Sequence, residues 1–336
     1  MNSKLSNLLK ALVSVSIAAV LLFFSFRGVD WREFATSLSS CNWWYVAISM
    51  VCGVVAFVFR GLRWRRMLMP IDPSTGRVPA INGIMIGNVA NMVIPYSGEL
   101  VRCGVITRHS SRDPETGKPF ATYDRVIGNA VLERGWDILS VVILLVILLF
   151  FKWKDFGGFM MEKIFAPMAD ALDLVFWLVF FLISAAVTAA LVAVRKMRSK
   201  NKTCGKISGV ISRIFQGFMS CFKMRDKGIF FLYTAIIWVM YWLQAVLILN
   251  AFPVLSGLSL DDALFLMLVG SFATCMPVPG GFGAYHYIVS SALFAIYGFP
   301  QAGVGIVFAT LSHESQALTM IITGLASYIV ESLDKH

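Results

Sequence analysis

Long uninterrupted apolar runs constrain the fold of this chain more than any other feature. Val141–Phe151 and Phe176–Val194 contain no charged residue and lack the alternation that keeps one face of a sheet in water. Across the chain 58% of residues are hydrophobic and 14% are charged, against about 25% charged in soluble domains. Helices embedded in a bilayer hide such a surface most economically. We therefore predict an all-α polytopic membrane helical bundle and exclude an ordinary soluble enzyme and a secreted disulfide framework.

Segments long enough to cross a bilayer, which takes about 20 residues, lie near 8–26, 43–59, 126–151, 171–194, 229–251 and 303–330. Two other apolar segments, Ala80–Tyr96 and Ala263–Val278, would span only about 24 to 26 Å as helices. Each ends in a proline turn and leads into another short helix, Glu99–His109 and Ala284–Phe299. We predict two re-entrant or broken helix pairs and six to eight transmembrane helices in all.

The basic residues predict the orientation. Lys4 and Lys10 precede the first apolar run, and no small-residue cleavage site follows, so we expect an uncleaved signal anchor. With a cytoplasmic N-terminus, few of the 29 Lys and Arg residues lie outside: Arg27, Arg32, Lys152, Lys154 and Lys163. This asymmetry predicts a multi-pass protein of the inner membrane with a cytoplasmic basic loop at 195–228. It also explains the net charge of +10 without nucleic acid as a partner.

An internal repeat is indicated by Gly87–Gly98 and Gly270–Gly281. Both segments contain glycine, alanine, a polar residue, proline and a final small residue with glycine, with one residue inserted in the second. Each follows two predicted spans and precedes one, but they enter from opposite sides. We predict one domain, 1–336, with half-repeats 8–151 and 171–330 in an inverted 3+3 arrangement, as in many secondary transporters. The alternative is a chance match between two glycine-rich turns.

Two groups of charged residues are candidates for a functional site, because ionisable residues at membrane depth are costly unless they pair or face water. Glu99 and Arg102 are three residues apart on one helical face. Glu133, Arg134 and Asp137 share one side of the next long helix, and their unpaired negative charge could be met by Arg102. The alternatives are an interfacial staple for the first group and a structural clamp between helices for the second.

A proline and glycine turn is the third candidate, since it frees backbone amides that can hold an anion such as phosphate at the start of the next helix. Its residues are Pro279, Gly280, Gly281 and Gly283. His286 follows in the first turn of that helix, and His313 and Glu314 lie inside the last span. Each histidine could instead be neutral and packed. The histidines stand too far apart in sequence to predict a metal site, and no cofactor is expected.

Basic residues also end the second span, in the segment Arg60–Arg66. Arginines around a tryptophan at this position predict an interfacial anchor with Trp64 in the aromatic belt. The alternative is that these arginines draw anionic lipid headgroups toward the inner mouth. No nucleotide-binding loop or common hydrolase motif is present, so nothing supports ATP-driven transport.

Four motifs follow one another along the chain: RGLRWRRML, IPYSGELVR, LERGWD and PVPGGFGAYH. In this order they resemble the transmembrane-region family named after lysylphosphatidylglycerol synthase, also called the flippase-like domain family. The resemblance implies a membrane domain that moves a modified phospholipid between leaflets, while a separate soluble domain makes the aminoacyl lipid. Since the chain ends at His336, soon after the last span, we do not expect aminoacyl transfer.

By the same resemblance, Glu99 and Arg102 match a GExxR pattern, and Glu133, Arg134 and Asp137 match ERxxD. His286 stands where the family leads us to expect a glutamate after the glycine turn. A base in place of an acid leaves the substrate and any proton coupling open.

The functional expectation is a lipid transporter or flippase-like protein whose partners are membrane lipids. Arg102, Arg134 and the free amides would hold an anionic headgroup, with the charged residues on one side of a cavity and the glycine turn and His286 on the other. One alternative is a membrane enzyme acting on a lipid-linked substrate, with Glu99 or His286 as general base. Another is a non-catalytic partner of lipid- or glycan-biosynthesis enzymes.

Overall fold

The computed structural model describes residues 25–171, 202–273 and 278–334, together with Met276 and scattered residues at 16–23 and 177–192. These residues form helices joined by turns. Within the described ranges there is no β-strand, and pairing of the extended type is limited to a bridge between Arg112 and Pro119. The prediction of an all-α helical bundle is confirmed.

From Trp31 to Met160, where every residue is described, the chain contains five helices, which we number α1 to α5: Trp31–Ser39, Trp43–Leu68, Arg77–Val93, Ser97–Arg108 and Tyr123–Met160. Local sequence sets the start of the early ones. Asp30 accepts hydrogen bonds from the backbone amides at the start of α1, and the Asn42 side chain accepts one at the start of α2. Such caps satisfy amides that have no partner inside the helix.

A π-helical turn at Met161–Phe165 connects α5 to α6. We number the other helices whose bounds lie in the described ranges α6 to α11. Their bounds are Ala166–Ala171, Lys202–Ser220, Lys227–Ala251, Leu260–Phe272, Ala284–Tyr297 and Ile306–Leu333. Ser259 and Asp262 form a reciprocal capping box at the start of α9. A long helix, two short ones and a long helix therefore occur in this order twice, as α2 to α5 and as α8 to α11.

Among the described residues, four helical segments are long and apolar enough to cross a membrane: Trp43–Leu68, Tyr123–Asp170, Lys227–Ala251 and Gln301–Leu333. They coincide with four of the six predicted spans. The other two, 8–26 and 171–194, lie mostly outside the described residues. The predicted short helices are also present as α3, α4, α9 and α10.

The hairpin of α3 and α4 depends on close backbone contact. Tyr96 takes the left-handed conformation at the turn, with φ of 62°. The Asn91 side chain accepts a hydrogen bond from the Gly98 amide over 2.7 Å. A side chain at Gly98 would overlap the carbonyl oxygen of Gly87. The glycines thus let the two helices touch, which fixes where the residues after Gly98 point.

The second pair of short helices is joined by the predicted glycine turn. Gly280, Gly281 and Gly283 have φ of 58°, 78° and 79°, in the region that side-chain-bearing residues rarely adopt. A Cβ on Gly280 would lie 3.6 Å from the Cα of Met92, near the end of α3. The tips of the two broken pairs therefore approach each other.

Helix α11 is tied to the first hairpin at two levels. Gly324 lies against α3, where a Cβ would come within 2.8 Å of the Met85 carbonyl oxygen. Near its end, Glu331 accepts a hydrogen bond from Asn82 over 2.8 Å and pairs with His109, just past α4, over 2.6 Å. These contacts join the last helix to both arms of the hairpin.

Helix α7, within the predicted basic loop, crosses α5 at two glycines. A side chain at Gly128 would overlap the carbonyl oxygen of Ile214, and one at Gly217 would overlap that of Arg125. Arg213 pairs with Asp124 beside this crossing. The described part of the predicted basic loop therefore contains a helix packed against α5.

Candidate functional site

Three helices bring seven charged side chains into one cluster, which we call the charge cluster. Helix α2 contributes Arg60 and Arg63, α4 contributes Glu99 and Arg102, and α5 contributes Glu133, Arg134 and Asp137. Both predicted groups are therefore in contact, and two arginines from α2 join them.

Glu133 lies at the centre of the charge cluster and is completely buried. Its Oε1 accepts a hydrogen bond from Arg63 Nη2 and its Oε2 accepts one from Arg102 Nη2, each over 2.7 Å. Arg60 Nη2 lies 3.8 Å from Oε1. A buried carboxylate is stable only with such partners, so Glu133 fixes the positions of three arginines.

Asp137 extends the cluster by one helical turn. It accepts a hydrogen bond from Arg63 over 2.5 Å, and its other oxygen lies 3.6 Å from Arg60. Asp137 is also 4.0 Å from Arg134 on its own helix. It therefore links the buried arginines from α2 to the more exposed part of the cluster.

Glu99 links α4 to α5 within the charge cluster. It pairs with Arg102 on its own helix and accepts from Arg134 Nε over 2.7 Å. The Arg134 side chain is 40% exposed, whereas that of Arg102 is 2% exposed. Arg134 and Glu99 are thus the edge of the cluster that another molecule can reach.

The charge cluster holds four guanidinium groups against three carboxylates, an excess of one positive charge. Several buried donors also make no hydrogen bond to the described residues: Arg60 Nη2, Nε and Nη1 of Arg63, and Nε and Nη1 of Arg102. The Arg102 guanidinium carbon lies 4.6 Å from the Trp64 ring centroid, which partly compensates it. We expected an excess of negative charge answered by Arg102, but Arg60 and Arg63 reverse the balance.

An apolar groove of about 420 Å³ opens beside this edge. Glu99 and Arg134 are its charged lining residues; the others are Leu100, Cys103, Ile127, Ala130, Val131, Gly135 and Ile138. The groove runs between α4 and α5, where Leu100, Val131 and Ile138 are more than half exposed. It therefore combines one charged edge with an apolar surface that is unfavourable in water.

The other predicted site residues form a second group, which we call the histidine group. His286 of α10 and His313 of α11 have ring centroids 5.1 Å apart. Glu314 Oε1 lies 3.2 Å from His313 Nδ1 and 3.7 Å from His286 Nε2. The Gly280 carbonyl oxygen in the glycine turn is 2.9 Å from His313 Nε2.

The structure thus brings the predicted site residues together in two groups. Glu99, Arg102, Glu133, Arg134 and Asp137 belong to the charge cluster. Pro279, Gly280, Gly281 and Gly283 form the turn over the histidines. The hydrogen bonds and ion pairs described for one group do not extend to the other, so a single cavity between them stays a prediction.

Sequence reasoning missed Arg60 and Arg63. It assigned them, with Trp64, to an interfacial anchor, whereas Arg63 and Trp64 are completely buried and Arg60 is 8% exposed. One signal was available, because Arg60 and Arg63 are three residues apart on one face of α2. Their partners lie at least 70 positions later, and that pairing cannot be read from local spacing.

The helices and the buried charges define an integral membrane protein with a polar site inside its helical bundle. The family model described as the lysylphosphatidylglycerol synthase TM region matches residues 9–324. The chain belongs to this family, as its motifs predicted, and is a multi-pass membrane protein. Comparison with curated proteins and with solved structures found no match.

Proposed function

We propose that this chain binds an anionic, phosphate-bearing lipid at the charge cluster and carries it between the leaflets of the inner membrane. One observation carries the proposal: a buried excess of guanidinium groups borders an apolar groove. A phospholipid has matching chemistry, since its headgroup is anionic and its chains are apolar.

The charge cluster suits an anionic headgroup because of its excess positive charge. An unpaired buried charge is costly, and breaking a buried pair typically costs about 3 to 5 kcal/mol. An anion at the edge of the cluster would neutralise its excess positive charge. Arginine suits this role, because its planar fork can give a phosphate two parallel hydrogen bonds. Arg134 is the arginine placed to do so, since it is the most exposed of the four.

Glu99 supplies a competitor for that phosphate. It pairs with both Arg134 and Arg102, so a headgroup that takes Arg134 leaves Glu99 paired with Arg102. The carboxylate would thus stay compensated in both states. An exchange of partners of this kind makes binding reversible, which a transporter requires.

The apolar groove suits the acyl chain of a lipid. Its apolar residues, including Leu100, Val131 and Ile138, lie next to the charged edge. Lipid tails and apolar side chains are about equally apolar, so the groove accommodates an acyl chain at little cost and the headgroup supplies most of the affinity. An acyl chain can lie along α4 and α5 while its headgroup stays at Arg134, so the lipid need not leave the bilayer.

The repeated helix order supports movement as well as binding. We extend the proposal to the inverted 3+3 repeat of 8–151 and 171–330, in which α2 to α5 and α8 to α11 are equivalent, with the N-terminus cytoplasmic. The near contact between the Gly280 turn and Met92 fits broken helices that meet inside the membrane. Movement of the other helices against α3, α4 and α11, which the contacts of Gly324 and Glu331 hold together, would open the site to each side in turn.

Lipid retention tests the binding step. We would purify the wild type, Arg134→Gln and Arg213→Gln in mild detergent and identify bound lipids by mass spectrometry. Arg213 is the matched control, because it is also 40% exposed and paired with one carboxylate, Asp124, away from the groove. Loss of a charged hydrogen bond of about 1.5 to 3 kcal/mol predicts a tenfold or larger loss of one phosphate-bearing lipid in Arg134→Gln alone.

Equal retention by all three proteins would contradict the headgroup site and favour a partner of biosynthesis enzymes. Chemical conversion of the lipid by the purified protein would favour the membrane enzyme. Transport is tested in liposomes holding a fluorescent phospholipid, where the wild type and Arg213→Gln should move the probe at least tenfold faster than Arg134→Gln. Rates equal to those of protein-free liposomes would exclude movement of that lipid.

A further inference from the structure

The histidine group places three metal-ligand side chains around one point. One nitrogen from each of His286 and His313 and one oxygen of Glu314 all lie within 4.8 Å of one another. The three residues come from two helices, α10 and α11, and the glycine turn before α10 lies over them. Two separate helices therefore hold the three side chains in place.

The Gly280 carbonyl determines how His313 is protonated. A carbonyl oxygen can only accept a hydrogen bond, so Nε2 of His313, 2.9 Å away, carries the proton. In the neutral ring Nδ1 then presents its lone pair toward Glu314 Oε1, 3.2 Å away. Two acceptors at this distance repel each other unless a cation or a proton lies between them.

His286 presents a second unsatisfied nitrogen. Its side chain is 2% exposed, and its Nδ1 has no hydrogen-bond partner among the residues that the structure describes. Its Nε2 lies 3.7 Å from Glu314 Oε1, which is beyond hydrogen-bond range. A buried imidazole nitrogen without a hydrogen-bond partner is costly, and Nε2, the nitrogen that faces Glu314, is the atom that His286 would offer to a ligand.

The surroundings resemble those of a metal site in two respects. His313 donates through the nitrogen that faces away from Glu314 to a backbone carbonyl, as metal-binding histidines usually do. Aromatic rings of Phe26, Phe282 and Tyr285 enclose the two imidazoles. The Glu314 side chain is 45% exposed and gives an ion a route of access.

We propose that His286, His313 and Glu314 form a binding site for a divalent transition-metal ion of the zinc class. Two imidazoles and one carboxylate are ligands that Zn²⁺ accepts, whereas Mg²⁺ and Ca²⁺ prefer oxygen ligands alone. Three protein ligands leave a coordination position open for water or another oxygen ligand. The inference is independent of the proposed lipid site, since it needs none of the charge-cluster residues.

Metal titration tests the site. The full-length protein would be stripped with a chelator in detergent, dialysed and titrated with Zn²⁺ by calorimetry, and with Co²⁺ by visible absorption as a report on coordination. We expect one ion per chain in the wild type. His286→Ala and Glu314→Gln should each weaken binding by about tenfold or more, the range seen when groups supporting a metal site are lost.

His109→Asn is the matched control, because His109 also pairs with a glutamate, Glu331, in a buried setting, and among the described residues no second histidine joins that pair in a metal-ligand set. It should bind metal like the wild type. Glu314→Gln alters the most exposed member and should remain folded, which size-exclusion chromatography would verify. Absence of stoichiometric binding in the wild type would overturn the proposal, as would equal binding by Glu314→Gln and the wild type.

Discussion

Arg63 and Glu133 form an ion pair, 2.7 Å long, in which neither side chain has any exposed surface. Glu133 lies on α5 and Arg63 on α2, so the pair connects the two helices inside the bundle. Since Arg102 and Arg60 also face Glu133, three guanidinium groups share this one carboxylate.

Replacement of Glu133 by Gln should therefore strongly destabilise the protein. The variant keeps the side-chain volume but leaves three arginines facing a neutral amide. Breaking a buried pair costs about 3 to 5 kcal/mol, and we expect a clear fall in the thermal unfolding midpoint in detergent. Glu162→Gln is the control, because Glu162 is 73% exposed and pairs with Lys163. Equal midpoints for the two variants would contradict a central role for Glu133.

Filling the groove should block lipid binding and leave the fold intact. A side chain at Gly135 would meet nothing within 4 Å, and Gly135 lines the groove. Gly135→Leu should thus occupy the volume proposed for an acyl chain and reduce phospholipid retention severalfold in the mass-spectrometric assay. Gly158→Leu places the same side chain at an open position of the same helix, outside the groove. If both variants retain lipid like the wild type, the groove is not the lipid site.

The crossing of α5 and α7 should not tolerate a methyl group. A Cβ at Gly217 would overlap the Arg125 carbonyl oxygen, so Gly217→Ala must push the helices apart. Overpacking of this kind costs about 1 to 3 kcal/mol, measured as loss of chemical or thermal stability. Gly209→Ala, on the same helix, meets only the flexible end of Arg213 at 3.3 Å and should be neutral. A Gly217→Ala protein as stable as that control would show that α7 packs differently.

The lowered pKa of Asp72, in the turn after α2, leads us to expect a loss of stability in acid. Burial alone would raise its pKa, but hydrogen bonds from Ser110, Ser74 and Ser111 outweigh burial and hold the pKa below the ordinary value of 3.8. A carboxyl group with a lowered pKa stabilises the folded state fully above that ordinary value. Its contribution is lost as the pH falls through the lowered value.

Asp72→Asn should accordingly have a lower unfolding midpoint than the wild type at pH 7, and the difference should shrink below about pH 4. Midpoints measured in detergent from pH 7 to pH 3 would check this. Glu115→Gln, an exposed position near the same turn, serves as the control and should show no comparable difference. A constant gap between Asp72→Asn and the wild type down to pH 3 would refute the assignment.

Features set by local sequence could be predicted well. Apolar length identified the four long helices, and glycine and proline identified the breaks near Tyr96 and Gly280. Both depend on neighbouring residues, since helix length follows the apolar run and a left-handed turn needs a suitable residue. The family followed from motifs of the same local kind.

The site was only partly predictable, because its contacts join distant parts of the chain. Glu99 and Arg102 could be paired from their spacing, but the link from Glu133 to Arg63 depends on how α2 packs beside α5. Basic residues at the end of an apolar helix usually lie at the interface, so sequence alone favoured the anchor for Arg63. The contact between His286 and His313 likewise depends on how α10 packs against α11, so it could not be predicted from the sequence.

The contacts of Glu331 and Gly324 have a mechanical consequence. They hold α11 against α3 and the end of α4 at points two helical turns apart. These three helices therefore resist bending relative to one another and form one rigid unit. His313 and Glu314 lie on α11, and Glu99 and Arg102 lie on α4 of the same unit. A tilt of α11 would therefore shift both groups at once.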